Sequence, residues 1–469
     1  MSMDSLSINK IVEQVIKEIE AEQSVYHEGA KLHGIYEEVE EAIENAKQTQ
    51  KIVRDMTLDF REKIICNIRK KTKENAKLFA EAAVEETGMG NVPDKIKKHD
   101  LVADKTPGTE DLKTTAWTGD RGLTLVEQGP FGVIGAVCPS TNPSETVICN
   151  TIGMLAAGNT VVFCTHPAAK NVSNLAVDMV NRASVEIGGP DHIATALKVP
   201  TLETSQKIFL HKDISLLVAT GGPGVVTAVL TSGKRAMGAG AGNPPVLVDE
   251  TADIKKAAKD IVNGCTFDNN LPCFTEKEVV AVDEIADELI FYMKKEGCYF
   301  ATDFEVRKLI DEVFVEIDGR KTLNRQCVGK SAKTLLEKIG VKAEDNIRCI
   351  IFEGDKENPL IYEELMMPIL GIVRVKNVEE GIEMAVVLER GNKHSAHMHS
   401  TNIHNLTKFG KTIDTAIFVK NAPSYAGLGF ESEGFTTFTI CSRTGEGLTS
   451  ARTFTKSRRC VMSDALCIR

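Results

Sequence analysis

The sequence predicts an α/β protein built on a parallel sheet wrapped by helices, the architecture of nucleotide-binding domains. Two observations carry this. Between residues 131 and 250, short buried-type strand runs alternate with helical stretches in the order strand, turn, helix. Glycine and proline clusters then punctuate the alternation at Gly129-Pro130, Gly188-Gly189-Pro190 and Gly221-Gly222-Pro223-Gly224.

Taken in order, the chain opens on Ile8, Ile11, Val12, Val15, Ile16 and Ile19, spaced by three and four. Asn9, Lys10, Glu13, Gln14, Lys17 and Glu18 fill the other face, which reads as an amphipathic helix of about four turns that Asp4, Ser5 or Ser7 can cap. The polar segment 21–34 reads as a linker, so the helix either docks on a partner's groove or packs on its own domain. Tyr36 to Lys51 and Leu58 to Glu86 read as two long helices, the second ended by Gly88 and Gly90. Lys95, Lys97, Lys98 and His99 read most simply as a solvated face, with an anionic ligand as the other reading. Leu123 to Glu127 alternates as a strand.

Within the alternating region, Phe131 to Cys138, Thr160 to Cys164 and Ile214 to Thr220 are strands, and Pro143 to Ala157, Pro167 to Ile187 and Val225 to Thr231 are helices. Further on, Asp283 to Lys295 is an amphipathic helix, Asp303 to Gly340 holds more helices, and Ile347 to Phe352, Ala416 to Val419 and Phe435 to Cys441 are strands.

Composition narrows the function classes. The 469 residues suffice for two or three domains, and a net charge of −10 argues against nucleic acid as the main partner. Phe131 to Cys138, the longest apolar run, is too short to span a bilayer, and the N-terminus carries no secretory pattern. The 12 cysteines are scattered without a C-x-x-C pair, which reads as reduced thiols in a cytosolic compartment and no zinc ribbon.

Ligands of such sheets bind at the carboxyl ends of the strands. There stand Ser140, Thr141 and Asn142, then His166 and Pro167, then Thr220, Gly221 and Gly222. Asn142 either donates an amide N–H to an oxyanion or serves as a helix cap. Gly221 and Gly222 either let backbone approach a phosphate or form a simple turn. Cys273 stands between Pro272 and Phe274, behind the polar run Asp268-Asn269-Asn270, and the chain from Phe274 to Val280 continues as helix or strand. If helix, its positive end favours the thiolate, the nucleophilic form; otherwise Cys273 is a small buried apolar residue.

Taken together, GPFGVIGAVCPSTNP, ATGGPG, GAGAGNPPVLVD, NNLPC, EELMMPILG and GFTTFTICSRTGEG resemble the aldehyde dehydrogenase superfamily, and more closely its CoA-acylating branch, the propionaldehyde dehydrogenases of bacterial microcompartments. The resemblance runs from about Tyr36 to Arg469. It implies a Rossmann-type cofactor domain, an α/β catalytic domain and a small β oligomerisation arm. Residues 35–113 and 128–235 would form the NAD- and CoA-binding domain, 236–429 the catalytic domain, and 114–127 with 430–469 the arm, within which Phe430 to Arg452 matches the part that extends a partner subunit's sheet. A homodimer or homotetramer is expected. The helix within residues 1–20 resembles encapsulation peptides, implying a shell-protein partner and a cytoplasmic location inside a microcompartment.

The resemblance also implies roles. Cys273 matches the nucleophile that attacks a short-chain aldehyde, propanal before ethanal, and Asn142 with the Cys273 N–H matches the oxyanion donors. Glu364 matches the glutamate that binds the nicotinamide ribose, and Gly240 and Ala241 line the cofactor site. Hydrolytic members carry a water-activating glutamate before a Gly-Gly pair; the matching run Met237 to Pro244 has no carboxylate, which favours transfer of the acyl group to the CoA thiol. The usual aromatic after Glu364 is Met366 here, and the usual adenosine-ribose lysine is Cys164. His394, His397 and His399 read as hydrogen-bonded strand histidines, with a metal cluster as the lesser reading, so no metal is assigned. Two other readings stay open: a hydrolytic or phosphate-dependent dehydrogenase on the same fold, and a non-catalytic microcompartment cargo protein.

Overall fold

A computed structural model describes residues 32–317 and 319–468. The amphipathic segment 8–19, and with it the shell-binding reading, lies outside the described residues.

Two parallel sheets organise the chain. The first has six strands in the spatial order Ile35–Tyr36, Ala194–Leu197, Thr160–Cys164, Val133–Val137, Ile214–Thr220 and Ala236–Ala239. The second has seven, in the order Cys298–Phe300, Cys349–Glu353, Ile369–Val375, Glu278–Val282, Pro245–Val248, Ser395–His399 and Ile417–Lys420. Every pairing in both is parallel. Helices cover the faces, so the central strands are buried on both sides and apolar throughout: Val133–Val137 and Thr160–Cys164 expose no residue. Each fully buried Val, Ile or Phe there contributes about 1.5–3 kcal/mol.

Local chemistry sets the helix ends. Asn91 caps Val92–Lys105 by accepting from the Asp94 N–H at 2.9 Å, with Pro93 in the first turn, where its missing N–H costs nothing. Pro143 opens Pro143–Ala156 in the same way. Leu58 to Glu86 is two helices, not one: Leu58–Glu74 and Ala76–Thr87 part at Asn75, whose φ of −106° and ψ of 7° lie off the helix. Asp303 to Gly340 is likewise not all helix. Asp303–Val313 and Ala332–Lys338 flank an antiparallel hairpin of Phe314–Ile317 and Arg320–Leu323.

A third sheet stands outside these two. Gly122–Pro130 pairs antiparallel with Thr115–Gly119 on one edge and Thr455–Ser463 on the other, and the last strand is exposed over all but its first residue. Phe435 to Cys441, expected as a strand, contributes only Ile440–Cys441 to a short ladder with Gly447–Leu448. Phe438 and Cys441 go inward instead, packing beside Phe454 with the first sheet's core.

Candidate active site

The two sheets meet end to end. The carboxyl ends of neighbouring strands in the first sheet deliver Ser140–Asn142, His166–Pro167, Thr220–Gly222 and Gly240–Ala241 to one edge. The amino ends of strands in the second sheet are preceded by Gly242, Cys273, Glu364 and His394. Gly242, Cys273, Glu364 and His394 lie together there, and Lys98 joins Asn142 to Asp268 just ahead of Cys273.

Cys273 is at the tip of a turn. The Thr275 N–H donates to the Pro272 carbonyl at 3.2 Å, and the Thr275 hydroxyl donates to the same oxygen at 2.7 Å. No helix comes after it: the chain runs into the strand Glu278–Val282, so a helix end does not supply charge stabilisation. Burial pushes the half-exposed Cys273 thiol up to about 12, with the Glu364 carboxylate adding and Lys277 opposing. The backbone N–H of Cys273 faces its own sulfur. The resting thiol is therefore protonated and needs a positive charge or a base to become a nucleophile.

The backbone ahead of Cys273 is unusual. Asp268, Asn269 and Asn270 all have positive φ, at 48°, 54° and 64°. Asp and Asn tolerate this left-handed region better than other side-chain-bearing residues, yet each such residue is held only where its surroundings fix it. Here they do. Asn269 Nδ2 donates to the carbonyls of Gly90 (3.2 Å) and Gly329 (2.9 Å). Asn270 Nδ2 donates to the carbonyls of Cys265 (2.8 Å) and Glu276 (2.9 Å). The buried Lys277 ammonium donates to Asn270 Oδ1 at 2.7 Å, Asn270 O at 2.8 Å and Pro272 O at 3.3 Å.

Asn142 occupies the cap position of Pro143–Ala156 but makes no side-chain cap bond. Its Oδ1 accepts from Lys98 Nζ at 2.7 Å, and its Nδ2 lies 3.3 Å from the Thr141 hydroxyl. Lysine only donates, so the atom facing Lys98 is the amide oxygen and the NH2 group is turned away from it. The basic cluster is thus not a solvated face. Lys95, Lys98 and His99 are fully buried, and only Lys97 faces solvent. The i, i+3 spacing of Lys95 and Lys98 was the available signal, because it places both on one helix face with Val102.

The expected cofactor residues are open. Added Cβ atoms on Gly222 and Gly224 would meet nothing within 4 Å, at the start of the helix Pro223–Leu230. That space lets a phosphate approach the backbone, as a dinucleotide requires. Thr220 meets Thr439, a residue the sequence did not mark, through hydroxyls 2.9 Å apart. Gly240 packs on Arg443. Ser140 and Thr141 are half-buried, and half-buried His166 accepts from the Ala168 N–H at 3.1 Å, its pKa lowered by burial and then by Arg325. Pro167 is exposed and Ala241 half-buried. Glu364 is half-buried near the Gly242 N–H and Lys277; burial nonetheless raises its pKa. No group of three or more metal-ligating side chains occurs among the described residues. His397 Nε2 instead lies 3.1 Å from the Phe274 carbonyl, and His394 Nδ1 2.7 Å from the Ser395 hydroxyl.

A model of the aldehyde dehydrogenase family matches residues 29–433. The chain is 44% identical over 469 residues to the acetylating acetaldehyde dehydrogenase of Salmonella typhimurium, covering 99% of both. The propionaldehyde dehydrogenase of the Clostridium phytofermentans fucose-utilisation microcompartment superposes with a TM-score of 0.92 at 66% identity, over 93% of this chain and 100% of that one. A propionaldehyde dehydrogenase of Rhodopseudomonas palustris, solved with CoA and an acylated cysteine, superposes with a TM-score of 0.90 at 50% identity, over 93% and 99%.

Proposed function

Because this chain belongs to the aldehyde dehydrogenase family, we infer that it oxidises a short-chain aldehyde, propanal foremost, to its acyl-CoA with reduction of NAD. The observation that carries the acylating form is the contact of Cys273 with the run 237–244. Gly242 lies against the Cys273 carbonyl, and that run holds no carboxylate to activate water.

In this reading the Cys273 thiol releases its proton to solvent, its sulfur adds to the aldehyde carbon, and the oxygen becomes an alkoxide that accepts from Asn142 Nδ2–H and the Cys273 N–H. NAD supplies the acceptor for the hydride leaving that carbon, after which Cys273 carries the acyl group as a thioester. Thr220, Gly221, Gly222, Gly240, Ala241, Ser140, Thr141, His166 and Pro167 would line the dinucleotide and CoA path, and Glu364 would take the nicotinamide ribose. The CoA sulfur then bonds to the acyl carbon while the carbon–Cys273 bond breaks, and the CoA thiol's proton passes to the departing sulfur, restoring the Cys273 thiol. A pocket used in turn by both cofactors fits the space around Gly222 and Gly224.

The test is NADH formation from propanal and NAD with and without CoA. Strict CoA dependence with propanoyl-CoA appearing in step is expected. Turnover without CoA that yields free acid would overturn the acylating reading, and dependence on phosphate would replace it. No turnover with any aldehyde would favour a cargo role.

Location and assembly belong to the same proposal. The Clostridium phytofermentans relative comes from a microcompartment. Residues 1–20 would meet a shell protein of such a compartment within the cytoplasm. A fusion of residues 1–22 to a fluorescent protein should co-localise with shells, and diffuse fluorescence would exclude it. The exposed strand Thr455–Ser463 offers an edge for a second copy in a homodimer or homotetramer. No helix among the described residues is long and apolar enough to cross a membrane.

A further inference from the structure

We propose that Lys98 is a positioning residue whose buried ammonium fixes the Asn142 amide with its NH2 toward the reacting oxygen and ties that donor to the turn bearing Cys273. This rests on the reading of Asn142 as oxyanion donor and Cys273 as nucleophile, and deepens it.

Three oxygens surround Lys98 Nζ: Asn142 Oδ1 at 2.7 Å, Asp268 Oδ2 at 2.7 Å and Glu145 Oε1 at 2.8 Å. Each comes from a different stretch. Asn142 ends the loop after the strand Val133–Val137, Glu145 lies in the helix it opens, and Asp268 begins the left-handed turn before Cys273. All three are buried.

Lys95, 3.1 Å from Asp268 Oδ2, also faces Asp268 and Glu145, but burial lowers its pKa, with Asp268 opposing. His99, buried in the same cluster, has its pKa lowered by burial, so it stays neutral; its Nε2 lies 2.9 Å from the Ser144 hydroxyl. Burial works against the Lys98 charge, but Asp268 and Glu145 more than offset it and its pKa is raised. Burial alone would also raise Glu145, yet the Lys98 ammonium beside it brings it down to about 2. The ammonium is therefore permanently charged at working pH.

A permanent donor decides an otherwise degenerate choice. An amide can turn by 180° with little change of shape, exchanging its acceptor for its donors. Asn142 makes no cap bond that would prevent the turn, and its contact with Thr141, a hydroxyl, suits either orientation. Only Lys98 distinguishes the two. With the amide reversed, a carbonyl oxygen would face the developing alkoxide and repel it. Asp268 has other holds, since its Oδ1 accepts from the Asn91 N–H at 2.9 Å and Lys95 remains, so the Cys273 turn does not depend on Lys98 alone.

The experiment compares Lys98→Met, Asn142→Ala and their double variant in the full chain, with propanal, NAD and CoA. For Lys98→Met, kcat is expected to fall about 10- to 100-fold, since loss of a whole oxyanion donor costs about 100- to 1,000-fold. The KM for propanal should stay within about threefold, because the alkoxide exists only beyond the ground state. The double variant should be no slower than Asn142→Ala alone, as two changes acting through one group do not add. Alkylation of Cys273 by iodoacetamide, which builds no alkoxide, should stay within about threefold of the parent. If Lys98→Met does not fold, Lys98→Met with Glu145→Gln removes one charge of each sign and is measured instead. Unchanged kcat, losses that add to those of Asn142→Ala, or alkylation falling in parallel with kcat would each overturn the proposal. Full activity in Asn142→Ala or Cys273→Ala would instead overturn the underlying reading of the site.

Discussion

Gly242 and Cys273 touch at the amino edge of the second sheet: a methyl group on Gly242 would stand 2.4 Å from the Cys273 carbonyl oxygen and 3.0 Å from Cγ of His394. Backbone cannot yield there without moving the nucleophile. Gly242→Ala is therefore expected to lower kcat/KM by about 100-fold, the scale of a 1 Å misplacement. Steady-state kinetics with a melting curve checks this; full activity in Gly242→Ala would show that the turn at Cys273 has slack.

Cys273 gives a pH signature. Its thiol, pushed up to about 12 by burial and then by Glu364, is protonated at neutral pH in the cofactor-free protein. The rate of its alkylation by iodoacetamide should climb about tenfold per pH unit from 7 to 10. Adding NAD, whose nicotinamide ring is cationic, should raise the rate at pH 7. A rate that is flat in pH would mean the thiolate is already formed. Cys273→Ala should abolish turnover and leave the melting temperature near that of the parent.

Glu276, three residues on, makes stability depend on pH. It is fully buried, its Oε1 accepts from the Ser424 N–H at 2.9 Å, and burial raises its pKa from 4.5 to about 8. Between those values the folded protein keeps a proton that the unfolded chain has released. Its contribution is complete below about pH 4.5 and is lost as pH rises toward about 8. Glu276→Gln should remove this decline. Urea unfolding at pH 5 and pH 9 should show the variant gaining on the parent by roughly a few kcal/mol at the higher pH. Glu389, raised by burial to about 7, and Glu278, raised by burial well above the usual carboxylate range, follow the same sign in both proteins and cancel in the comparison.

Lys277 braces the same turn with four contacts, to both oxygens of Asn270, to Pro272 O and to the Thr275 hydroxyl. Lys277→Met leaves both buried Asn270 oxygens without their ammonium donor, which costs about 1–3 kcal/mol. A lowered melting temperature together with reduced turnover is the expected outcome. An unchanged melting temperature would mean water replaces the ammonium.

The sheets were legible because parallel strands buried on both faces leave continuous apolar runs, such as Ile214–Thr220 and Thr160–Cys164, between turn residues. The junction was legible because those strands all end on one edge. What escaped has a common cause. Lys95 and Lys98 read as surface charge, since their partner Asp268 is 170 positions beyond Lys98 (268 − 98), and only the fold brings it near. Phe435 to Cys441 alternates like a strand, but its partners are the first sheet's core and Thr220 rather than a ladder. The run Asp268-Asn269-Asn270 permits left-handed backbone; nothing in its composition requires it.

That run is left-handed while three stretches of chain grip it: Gly90 with Lys95, Gly329, and Lys277 seven residues beyond Asn270. The grips of Gly90, Lys95 and Gly329 exist only once those distant stretches have come together. Competence of the thiol is thus a late event in the life of the chain, a certificate of completed assembly. During refolding, NADH-producing activity should emerge after the helical signal has recovered, and activity preceding it would contradict this.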